Sequence, residues 1–329
     1  MNWKNKNVSL TGAGGFIGSH LAERLVYLGA NVKAFVRYNS RNDCGQLENL
    51  PDNILSQITV IAGDLRDPNA VRDLVADTDI IFHLGSLIAI PYSYVHPMEV
   101  IDTNVLGTTN ILMAAKDNHV EKIIHTSTSE VYGTARYVPI DEKHPLQGQS
   151  PYSASKIGAD MIAYSFYTSF KLPVAIIRPF NTYGPRQSAR AVTPTIITQA
   201  LTKKVIRLGS LHPTRDLTFV TDTIEGFIKI AEKEKSIGEV INIGSGFEIS
   251  VGDLAEKILK LSQSKVKIEI DKKRVRPEYS EVERLCADFT KARKILGWQP
   301  QVSLDDGLKR TIKWISDHIE EYKVGMYTI

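Results

Sequence analysis

The sequence predicts an α/β protein built on a doubly wound parallel sheet, followed by a smaller α/β unit. Short apolar runs of strand length alternate with helical patterns over the first 180 residues, which is typical of a parallel sheet covered by helices on both faces. A glycine-rich turn directly follows the first apolar run. After residue 181 the alternation becomes irregular. We therefore predict one domain at residues 1–180 and a second at 181–329, with part of 215–245 returning to the first.

The first domain is predicted to contain six strands and three long helices. Each strand is a short apolar run bounded by glycine, proline or polar turn residues, and these runs lie at residues 8–10, 32–36, 58–62, 79–84, 122–126 and 174–177. Apolar residues at helical spacing predict helices at residues 19–28, 97–118 and 152–170.

The glycine-rich turn after the first strand predicts a nucleotide site. Gly12, Gly15 and Gly18 have the strand–turn–helix context of a dinucleotide-binding fingerprint. Gly12 permits a tight turn, and Gly15 lets the backbone approach a pyrophosphate, while Gly18 allows close packing of helix on strand. Phe16 and Ile17, just before the predicted helix, are assigned to the same site. The prediction is a Rossmann-type site, and the alternative is a generic glycine-rich turn.

The end of the second strand bears on which dinucleotide binds. An NAD site usually has an acid here for the ribose 2′-hydroxyl, but this chain has Arg37, followed by Asn39 and Arg41. Two guanidiniums suit a 2′-phosphate, so we expect NADP rather than NAD. The alternative is that both arginines are solvated and that Asp43 binds the ribose.

Residues at the ends of the other strands complete the predicted cofactor site, because ligands lie at this edge of open α/β sheets. Asp64 follows the third strand and can accept from an adenine amino group, although it could instead cap a helix. We also assign to the cofactor site Leu65, Leu84, Ser86, Asn104 and Pro179. The turn after the fourth strand leads to Pro91 and Tyr92, which we assign to the substrate.

Two groups of residues predict proton-transfer chemistry. Tyr152 and Lys156 are four positions apart on a predicted helix and so share one face. An ammonium beside a phenol lowers the phenol pKa, so Tyr152 could take a proton from a substrate hydroxyl. Thr128 and Glu130 follow the fifth strand, where a second proton-transfer group could stand. The alternative is a packed tyrosine and a solvated lysine, since this spacing is common by chance.

The helix that contains this tyrosine and lysine is apolar on more than one face, with Ile157, Met161 and Phe166 among its residues. A helix with this pattern is usually buried. We therefore expect a second subunit to cover it.

The second half of the chain is predicted to close over the first. Helices are expected near 193–202, 221–232, 251–262, 290–296 and 303–317, and strands near 217–220, 239–243 and 265–270. For a diphosphate ligand we select Asn181, Arg215 and Arg276. The basic run at 272–276 is equally well explained as a solvated face.

Composition excludes several other classes. Of 329 residues, 43% are hydrophobic and 23% charged, and the net charge is +3, so we expect no nucleic-acid partner. Cys44 and Cys286 stand far apart, which predicts neither disulfides nor a metal site. The most apolar window, residues 80–95, falls short of the roughly 20 residues that span a bilayer. With no signal segment recognised at the start, we expect a cytoplasmic protein with no membrane partner.

Together these residues resemble the extended short-chain dehydrogenase/reductase family over nearly the whole chain. The resemblance rests on Thr-Gly-x-x-Gly-x-x-Gly at 11–18, Gly-Asp-Leu at 63–65, Tyr152 with Lys156, Arg-Pro-x-Asn-x-Tyr-Gly-Pro at 178–185, and Arg-Asp at 215–216. It implies bound NAD(P), activity on nucleotide-activated sugars, and a homodimer formed through a four-helix bundle. Here that bundle would use the helices near 97–118 and 152–170.

Within this family the residues before Val-Tyr-Gly distinguish the reactions. Thr128-Ser129-Glu130 resembles the triplet of Thr-Ser-Glu 4,6-dehydratases such as GDP-mannose 4,6-dehydratase, which also favour NADP. UDP-glucuronate decarboxylases share the triplet, whereas epimerases tend to have small residues there. The stretches at 88–94 and 150–160 resemble bacterial N-acetylglucosamine-nucleotide 4,6-dehydratases of nonulosonic-acid (pseudaminic or legionaminic) pathways.

The resemblance implies a role for each catalytic residue. Tyr152 removes the C4 hydroxyl proton as hydride passes to NADP, Lys156 lowers the tyrosine pKa and holds the nicotinamide ribose, and Thr128 orients the C4 oxygen. Glu130 takes the C5 proton and also donates to the leaving C6 hydroxyl, because Ser129 is a poor acid. Hydride then returns to C6, so the cofactor is regenerated and stays tightly bound.

The expected substrate is UDP-N-acetylglucosamine (UDP-GlcNAc), converted to a 4-keto-6-deoxy product. GDP-GlcNAc and GDP-mannose are alternative substrates, and UDP-glucuronate decarboxylase and nucleotide-sugar 4-epimerase are alternative activities. A non-catalytic NADP-binding regulator is the alternative from another class.

Overall fold

The structure, a computed structural model, describes residues 1–322 and residue 324. The predicted second domain extends further, so its last residues lie outside the described part. The strands are β1 (Asn7–Thr11), β2 (Asn31–Arg37), β3 (Ile58–Gly63), β4 (Ile80–His83), β5 (Lys122–Thr126), β6 (Val174–Pro179), β7 (Asn181–Tyr183), β8 (Val205–Leu208), β9 (Thr214–Phe219), β10 (Val240–Ile243), β11 (Glu248–Ser250) and β12 (Lys267–Ile270).

Helices connect and cover these strands. They are α1 (Phe16–Tyr27), α2 (Asp52–Leu55), α3 (Pro68–Val75), α4 (Ile90–Val95), α5 (Pro97–Ile101), α6 (Gly107–Asp117), α7 (Pro151–Phe170), α8 (Val192–Thr202), α9 (Val220–Glu232), α10 (Val251–Leu261), α11 (Thr290–Leu296) and α12 (Leu304–Asp317). No helix in the described part of the chain is both long enough and apolar enough to cross a membrane.

A seven-stranded sheet forms the centre of the molecule. Its strand order is β10-β6-β5-β4-β1-β2-β3, and every neighbouring pair is parallel. The order reverses between β1 and β4, which opens a crevice at their carboxyl ends. The predicted doubly wound α/β fold is confirmed.

Apolar side chains on both faces of the sheet explain why it is parallel and buried. On one face Leu10, Phe82 and Ile124 are fully buried against α1 and α9. On the other face Ile81 and Ile123 pack with α3, α6 and α7. The central strands β1, β4, β5 and β6 read as continuous apolar runs because they have no solvent-facing side.

The last strand of this sheet comes from the second half of the chain. In β10, Val240 pairs with Ile176 and Ile243 with Pro179 of β6, and α9 packs against α1, β5 and β6. Both elements lie within residues 215–245, the segment expected to return to the first domain. The division of the chain at residue 180 stays a prediction.

The remaining elements form the smaller unit. A three-stranded sheet has the order β11-β9-β7 and a two-stranded sheet pairs β12 with β8. Helices α8, α10 and α12 pack on one another beside them. Strand β7 directly follows β6, so this unit begins at the carboxyl edge of the large sheet.

Several elements differ from the sequence prediction for local reasons. Helix α3 was missed because its sequence is mostly polar, although Asp67 caps it by accepting from Asn69 N at 2.9 Å. Helix α1 begins at Phe16, three residues before the predicted start. The helix predicted at 97–118 is interrupted by a π-helical turn at Asp102–Leu106. The short strands β7, β8 and β11 were also missed.

Candidate active site

A cavity of about 1280 Å³ lies at the carboxyl edge of the large sheet, between the sheet and the smaller unit. The predicted residues that line it are Gly12, Gly15, Phe16, Ile17, Gly18, Arg37, Asn39, Arg41, Asp64, Leu65, Leu84, Ser86, Pro91, Tyr92, Thr128, Glu130, Tyr152, Pro179, Asn181, Arg215 and Arg276. Three others, Asn104, Ser129 and Lys156, are buried and do not line it. One space therefore contains most of the predicted cofactor and substrate residues.

The glycine turn has the shape that a dinucleotide diphosphate requires. Gly12 has a φ of +70°, and a Cβ there would lie 2.8 Å from the backbone nitrogen of Gly85. A Cβ on Gly15 would meet only the Gly12 carbonyl, at 3.1 Å, so this position is otherwise open. Helix α1 begins beside it with no side-chain cap and no acid in its first turn. Its free N–H groups and positive dipole end fit an anion.

The three residues predicted to hold a 2′-phosphate already have partners. Arg37 Nη2 lies 3.2 Å from Glu99 Oε1, and Arg41 Nη2 lies 3.0 Å from Asp43 Oδ2. The Asn39 side-chain oxygen accepts from the backbone N–H groups of Arg41 and Asp43. Both arginines line the cavity, but each is next to a carboxylate.

Two other predicted cofactor residues also bond within the protein. Arg66 donates to Asp64 at 2.6 Å, and this bond holds the pKa of Asp64 below its ordinary value. The Asn104 amide accepts from Leu87 N at 2.8 Å and donates to Leu87 O at 3.0 Å and Ser155 Oγ at 2.9 Å. Asn104 thus fixes the loop after β4 against α7, instead of facing the cavity.

A capping box places Tyr152 at the cavity. Ser150 Oγ accepts from Ser153 N, and Ser153 Oγ accepts from Ser150 N at 2.9 Å, so that α7 begins here. Tyr152 therefore lies in the first turn of α7. Thr128 caps the short turn that follows β5 by accepting from Glu130 N at 3.2 Å. These two helix starts bring Thr128, Glu130 and Tyr152 to one wall.

The charge state of Tyr152 differs from the sequence prediction. Burial raises the pKa of Tyr152 well above its ordinary value, a hydrogen bond with Thr128 lowers it, and the charge of Glu130 raises it further. Lys156 is buried as well: burial lowers the pKa of Lys156 to about 8, and its Nζ donates to Thr126 O at 2.6 Å. The expected lowering of the tyrosine pKa is not what this structure shows, because burial has the largest effect on it.

A buried ionic network beneath this wall was missed from the sequence. Asp160 is completely buried, accepts from Ser127 Oγ at 2.6 Å and pairs with Arg178 Nη2 at 2.9 Å and His125 Nε2 at 3.1 Å. Asp160 follows Lys156 by one helical turn, and that spacing could have indicated it. Its bonds tie α7 to β5 and β6, and so hold the Tyr152 wall in place.

The opposite end of the cavity is cationic. Arg215 Nη2 and Arg276 Nη1 lie 3.2 and 3.5 Å from the same oxygen of Glu281. Nearby, Asn181 Oδ1 is buried without a hydrogen-bond partner among the described residues. Two guanidiniums on one carboxylate leave a net positive charge, which suits a diphosphate.

Helices α5, α6 and α7 expose apolar side chains on the surface. Ile101, Met113, Met161 and Tyr164 are 40–48% exposed, while Phe166 on the same helix is buried in the core. Helix α7 is therefore apolar both toward the sheet and toward the outside. Among the described residues, no group of His, Cys, Asp or Glu is arranged to hold a metal ion.

Known proteins similar to this chain span several reactions. A family model described as GDP-mannose 4,6 dehydratase matches residues 10–311. Human dTDP-D-glucose 4,6-dehydratase is 34% identical over 330 residues, covering 97% of this chain and 92% of that protein. UDP-N-acetyl-alpha-D-glucosaminuronate decarboxylase from Bacillus cytotoxicus is 33% identical over 323 residues, with 95% and 98% covered.

A solved structure of a third protein has a similar fold. A mutant UDP-glucuronic acid 4-epimerase from Bacillus cereus, in complex with UDP-4-deoxy-4-fluoro-glucuronic acid and NAD, has a TM-score of 0.87 at 28% identity. The similarity covers 95% of this chain and 99% of that one. By their names, the three proteins dehydrate, decarboxylate or epimerise a nucleotide sugar.

Proposed function

Because this chain belongs to the family of nucleotide-sugar dehydratases, epimerases and decarboxylases whose model is described as GDP-mannose 4,6 dehydratase, we propose that it is a nucleotide-sugar 4,6-dehydratase. The substrate under this proposal is a UDP-linked N-acetylhexosamine, UDP-GlcNAc. The observation that supports dehydration is the position of Glu130, which lines the same cavity as Tyr152 and Thr128.

A carboxylate at this position is what an elimination requires. Removing water across C5 and C6 needs a group that takes the C5 proton and a group that protonates the leaving hydroxyl. Glu130 is close enough to Tyr152 for its charge to raise the pKa of that phenol. Ser129 is only 2% exposed and lies outside the cavity lining. This supports Glu130 as the residue for both proton transfers.

The dinucleotide site is proposed at the glycine turn. Gly12, Gly15 and the backbone N–H groups of Phe16 and Ile17 would hold the diphosphate of NAD(P), since the turn is open and the end of α1 is uncapped. Lys156 Nζ donates to Thr126 O behind the cavity lining, so its ammonium would hold the nicotinamide ribose by turning toward the cavity. When bound, the cofactor supplies a hydride acceptor for C4 of the sugar and a hydride donor for C6.

The chain's own residues then perform the proton transfers. Tyr152 would accept the proton of the C4 hydroxyl as a phenolate, a form that the positive charges of Lys156 and of a bound nicotinamide would favour against the effect of burial. Thr128, hydrogen-bonded to Tyr152, orients the C4 oxygen. The resulting C4 ketone acidifies the C5 proton. Glu130 takes that proton as the C5–C6 double bond forms, and returns it to the departing C6 hydroxyl, which leaves as water.

The substrate diphosphate is proposed to lie at the cationic end of the cavity. Arg215 and Arg276 provide the positive charge, and Asn181 has a free side-chain oxygen for a hydroxyl or amide donor. Pro91 and Tyr92 line the wall nearer the loop after β4, where the sugar would contact them. The N-acetyl group in this proposal rests on the resemblance of residues 88–94 and 150–160 to N-acetylglucosamine-nucleotide dehydratases, and the choice of uridine over guanosine is left to the substrate panel.

We further propose a homodimer in the cytoplasm, formed by α5, α6 and α7. Four large apolar side chains on these helices, Ile101, Met113, Met161 and Tyr164, are 40–48% exposed. Covering them with the same surface of a second copy would remove this apolar area from water.

The direct test is mass spectrometry of products across a panel of nucleotide sugars with no added cofactor. UDP-GlcNAc should lose one water, and GDP-GlcNAc and GDP-mannose should react more slowly. Carbon dioxide from UDP-glucuronate, with no water lost from any hexose, would favour the decarboxylase instead. A product of unchanged mass and altered C4 configuration would favour the epimerase. Bound dinucleotide without any turnover would favour the non-catalytic regulator.

A further inference from the structure

The end of β2 has a charge arrangement that the sequence did not suggest. In this fold the ribose 2′-position of a dinucleotide lies at the end of the second strand, where an acid favours the 2′-hydroxyl and an arginine favours the 2′-phosphate. Arg37 ends β2 and its side chain is 63% exposed. Its nearest carboxylate, however, comes from a distant part of the chain.

That carboxylate is Glu99 on α5, and both of its oxygens are engaged. Oε1 accepts from Arg37 Nη2 at 3.2 Å, and Oε2 accepts a short hydrogen bond from the Tyr92 hydroxyl. The bond from Tyr92 lowers the pKa of Glu99, with help from Arg37 and Arg66. Glu99 is therefore a fixed negative charge, only 25% exposed, directly beside the arginine at the ribose end.

The surrounding charges leave no surplus of positive charge. Seven charged side chains among the described residues pair with or face one another here. They are three guanidiniums and four carboxylates: Arg37, Arg41 and Arg66, and Asp43, Asp64, Glu99 and Asp102. A 2′-phosphate would add a charge of about −1.5 to −2 at neutral pH. It would have to displace an existing partner and would face Glu99 at close range.

We propose that Glu99 sets the cofactor preference of this site, favouring the dinucleotide without a 2′-phosphate, NAD, over NADP. The inference rests on the proposed function, in that a nicotinamide dinucleotide binds at the glycine turn. Glu99 repels a 2′-phosphate and keeps Arg37 from pairing with it, while an uncharged 2′-hydroxyl meets neither obstacle. This reverses the order that Arg37 and Arg41 suggested from the sequence alone.

A purely structural role for Glu99 makes a different prediction. If Glu99 only anchored Tyr92, then Tyr92→Phe and Glu99→Gln would change the ratio of bound NAD to NADP by the same amount. If its charge sets the preference, Tyr92→Phe should leave the preference unchanged, because the carboxylate and its pair with Arg37 remain.

The experiment measures which dinucleotide the purified full chain retains. The protein is incubated with an equimolar excess of NAD and NADP until the bound ratio no longer changes. Free nucleotide is then removed, and the bound species are extracted and quantified by mass spectrometry. The wild type should retain NAD in excess, and Glu99→Gln should shift the ratio toward NADP by about tenfold.

Three further variants make the result specific. Adding Arg37→Ala to Glu99→Gln should abolish the shift, because the gain requires a freed guanidinium. Arg37→Ala alone, which leaves Glu99 uncompensated, should move the ratio further toward NAD. The matched control is Glu121→Gln, which removes a carboxylate that pairs with Lys6 at 2.6 Å. Glu121 immediately precedes β5 and so lies at the amino edge of the sheet, opposite the cavity. This variant should leave the ratio unchanged.

The outcomes separate this inference from the proposed function. Equal retention of both dinucleotides by the wild type, or an unchanged ratio in both Glu99→Gln and Arg37→Ala, would overturn the role of Glu99 while leaving the cofactor site intact. Retention of neither dinucleotide would overturn the cofactor site itself, and the inference with it.

Discussion

At the scale of single residues, the proposed chemistry depends on two groups that reach the cavity from different elements. Glu130 comes from the turn after β5, and Tyr152 from the first turn of α7. Thr128 links them, since it caps the turn that contains Glu130 and bonds to Tyr152. Oxidation at C4 is assigned to the phenol and elimination to the carboxylate, so the two steps can be separated by mutation.

Glu130→Gln should lower the rate of water loss by about a hundredfold or more, because the amide cannot take the C5 proton. Tyr152 remains, so the variant should still reduce its bound cofactor when UDP-GlcNAc is added. Absorbance of the reduced nicotinamide and mass spectrometry of the sugar measure the two steps separately. Tyr152→Phe is the matched comparison and should lose both steps. Water loss at the wild-type rate in Glu130→Gln would remove Glu130 from the mechanism.

Asp160 gives a pH-dependent prediction. Burial alone would raise the pKa of Asp160, but the hydrogen bond from His125 and the charge of Arg178 outweigh it and lower the pKa from 3.8 to about 2. A depressed folded-state pKa stabilises the protein above the unfolded pKa, and this contribution is lost as pH falls through about 2.

Asp160→Asn should therefore reduce the free energy of unfolding at neutral pH by about 3–5 kcal/mol, because Arg178 is left buried without its partner. The difference from wild type should shrink as pH falls from 4 toward 2. Urea unfolding at several pH values measures it. Asp305→Asn, at an exposed pair with Lys257, is the control and should cost no more than about 1 kcal/mol. A pH-independent difference would contradict the assigned pKa.

At the scale of elements, a lysine from the large sheet caps the carboxyl end of α9, a helix from the second half of the chain. Lys122 is the first residue of β5, and its buried Nζ donates to the carbonyls of Ile230, Ala231 and Lys233 at 2.7, 3.2 and 2.7 Å. These carbonyls lie at the end of α9, where a cation can satisfy them, and Ser236 Oγ also donates to those of Ile230 and Lys233. This contact attaches α9 to the large sheet.

Lys122→Met should keep the volume of the side chain but remove the hydrogen bonds that Nζ donates to these carbonyls. We expect the free energy of unfolding to fall by about 2–3 kcal/mol, measured by urea denaturation. Lys6→Met, which removes a lysine paired with Glu121 near the surface, should have a much smaller effect. Equal effects of the two variants would show that the buried contacts contribute little.

The elements that the sequence predicted well are those with a strong periodic signal. The strand at residues 122–126 and the helix ending at Phe170 agree with the structure because an unbroken apolar pattern defines them. Helix α3 and the short strands β7, β8 and β11 were missed, since short or polar segments depend on tertiary packing for their stability. The π-helical turn around Asn104 has no periodic signature, because it is a local change within a helix.

At the scale of the whole molecule, the site lies between the large sheet and the smaller unit. Most of the candidate residues selected from the sequence line this cavity, because strand ends and helix starts determine which residues face this edge. It did not predict pairs formed across long separations, such as Glu99 with Arg37 or Glu281 with Arg215. Nor could it predict that burial would have the largest effect on the pKa of Tyr152.

The proposed dimer gives a prediction at this scale. Met161→Glu places a charge on the exposed apolar face of α7 and should convert a dimer to a monomer, because the charge would be buried at the interface. Light scattering coupled to size exclusion measures the mass in solution. Tyr27→Glu, at a tyrosine that is 63% exposed at the end of α1, is the control and should leave the mass unchanged. A monomeric wild type would contradict the proposed interface.

The most direct test of the dehydratase mechanism follows one hydrogen atom through the reaction. UDP-GlcNAc with deuterium at C4 is given to the purified protein without added cofactor, and the product is analysed by mass spectrometry and NMR. We predict a product that has lost one water and carries the deuterium at C6. A product that keeps its full mass, with the deuterium back at C4, would contradict the account and leave only an isomerase activity for this cavity.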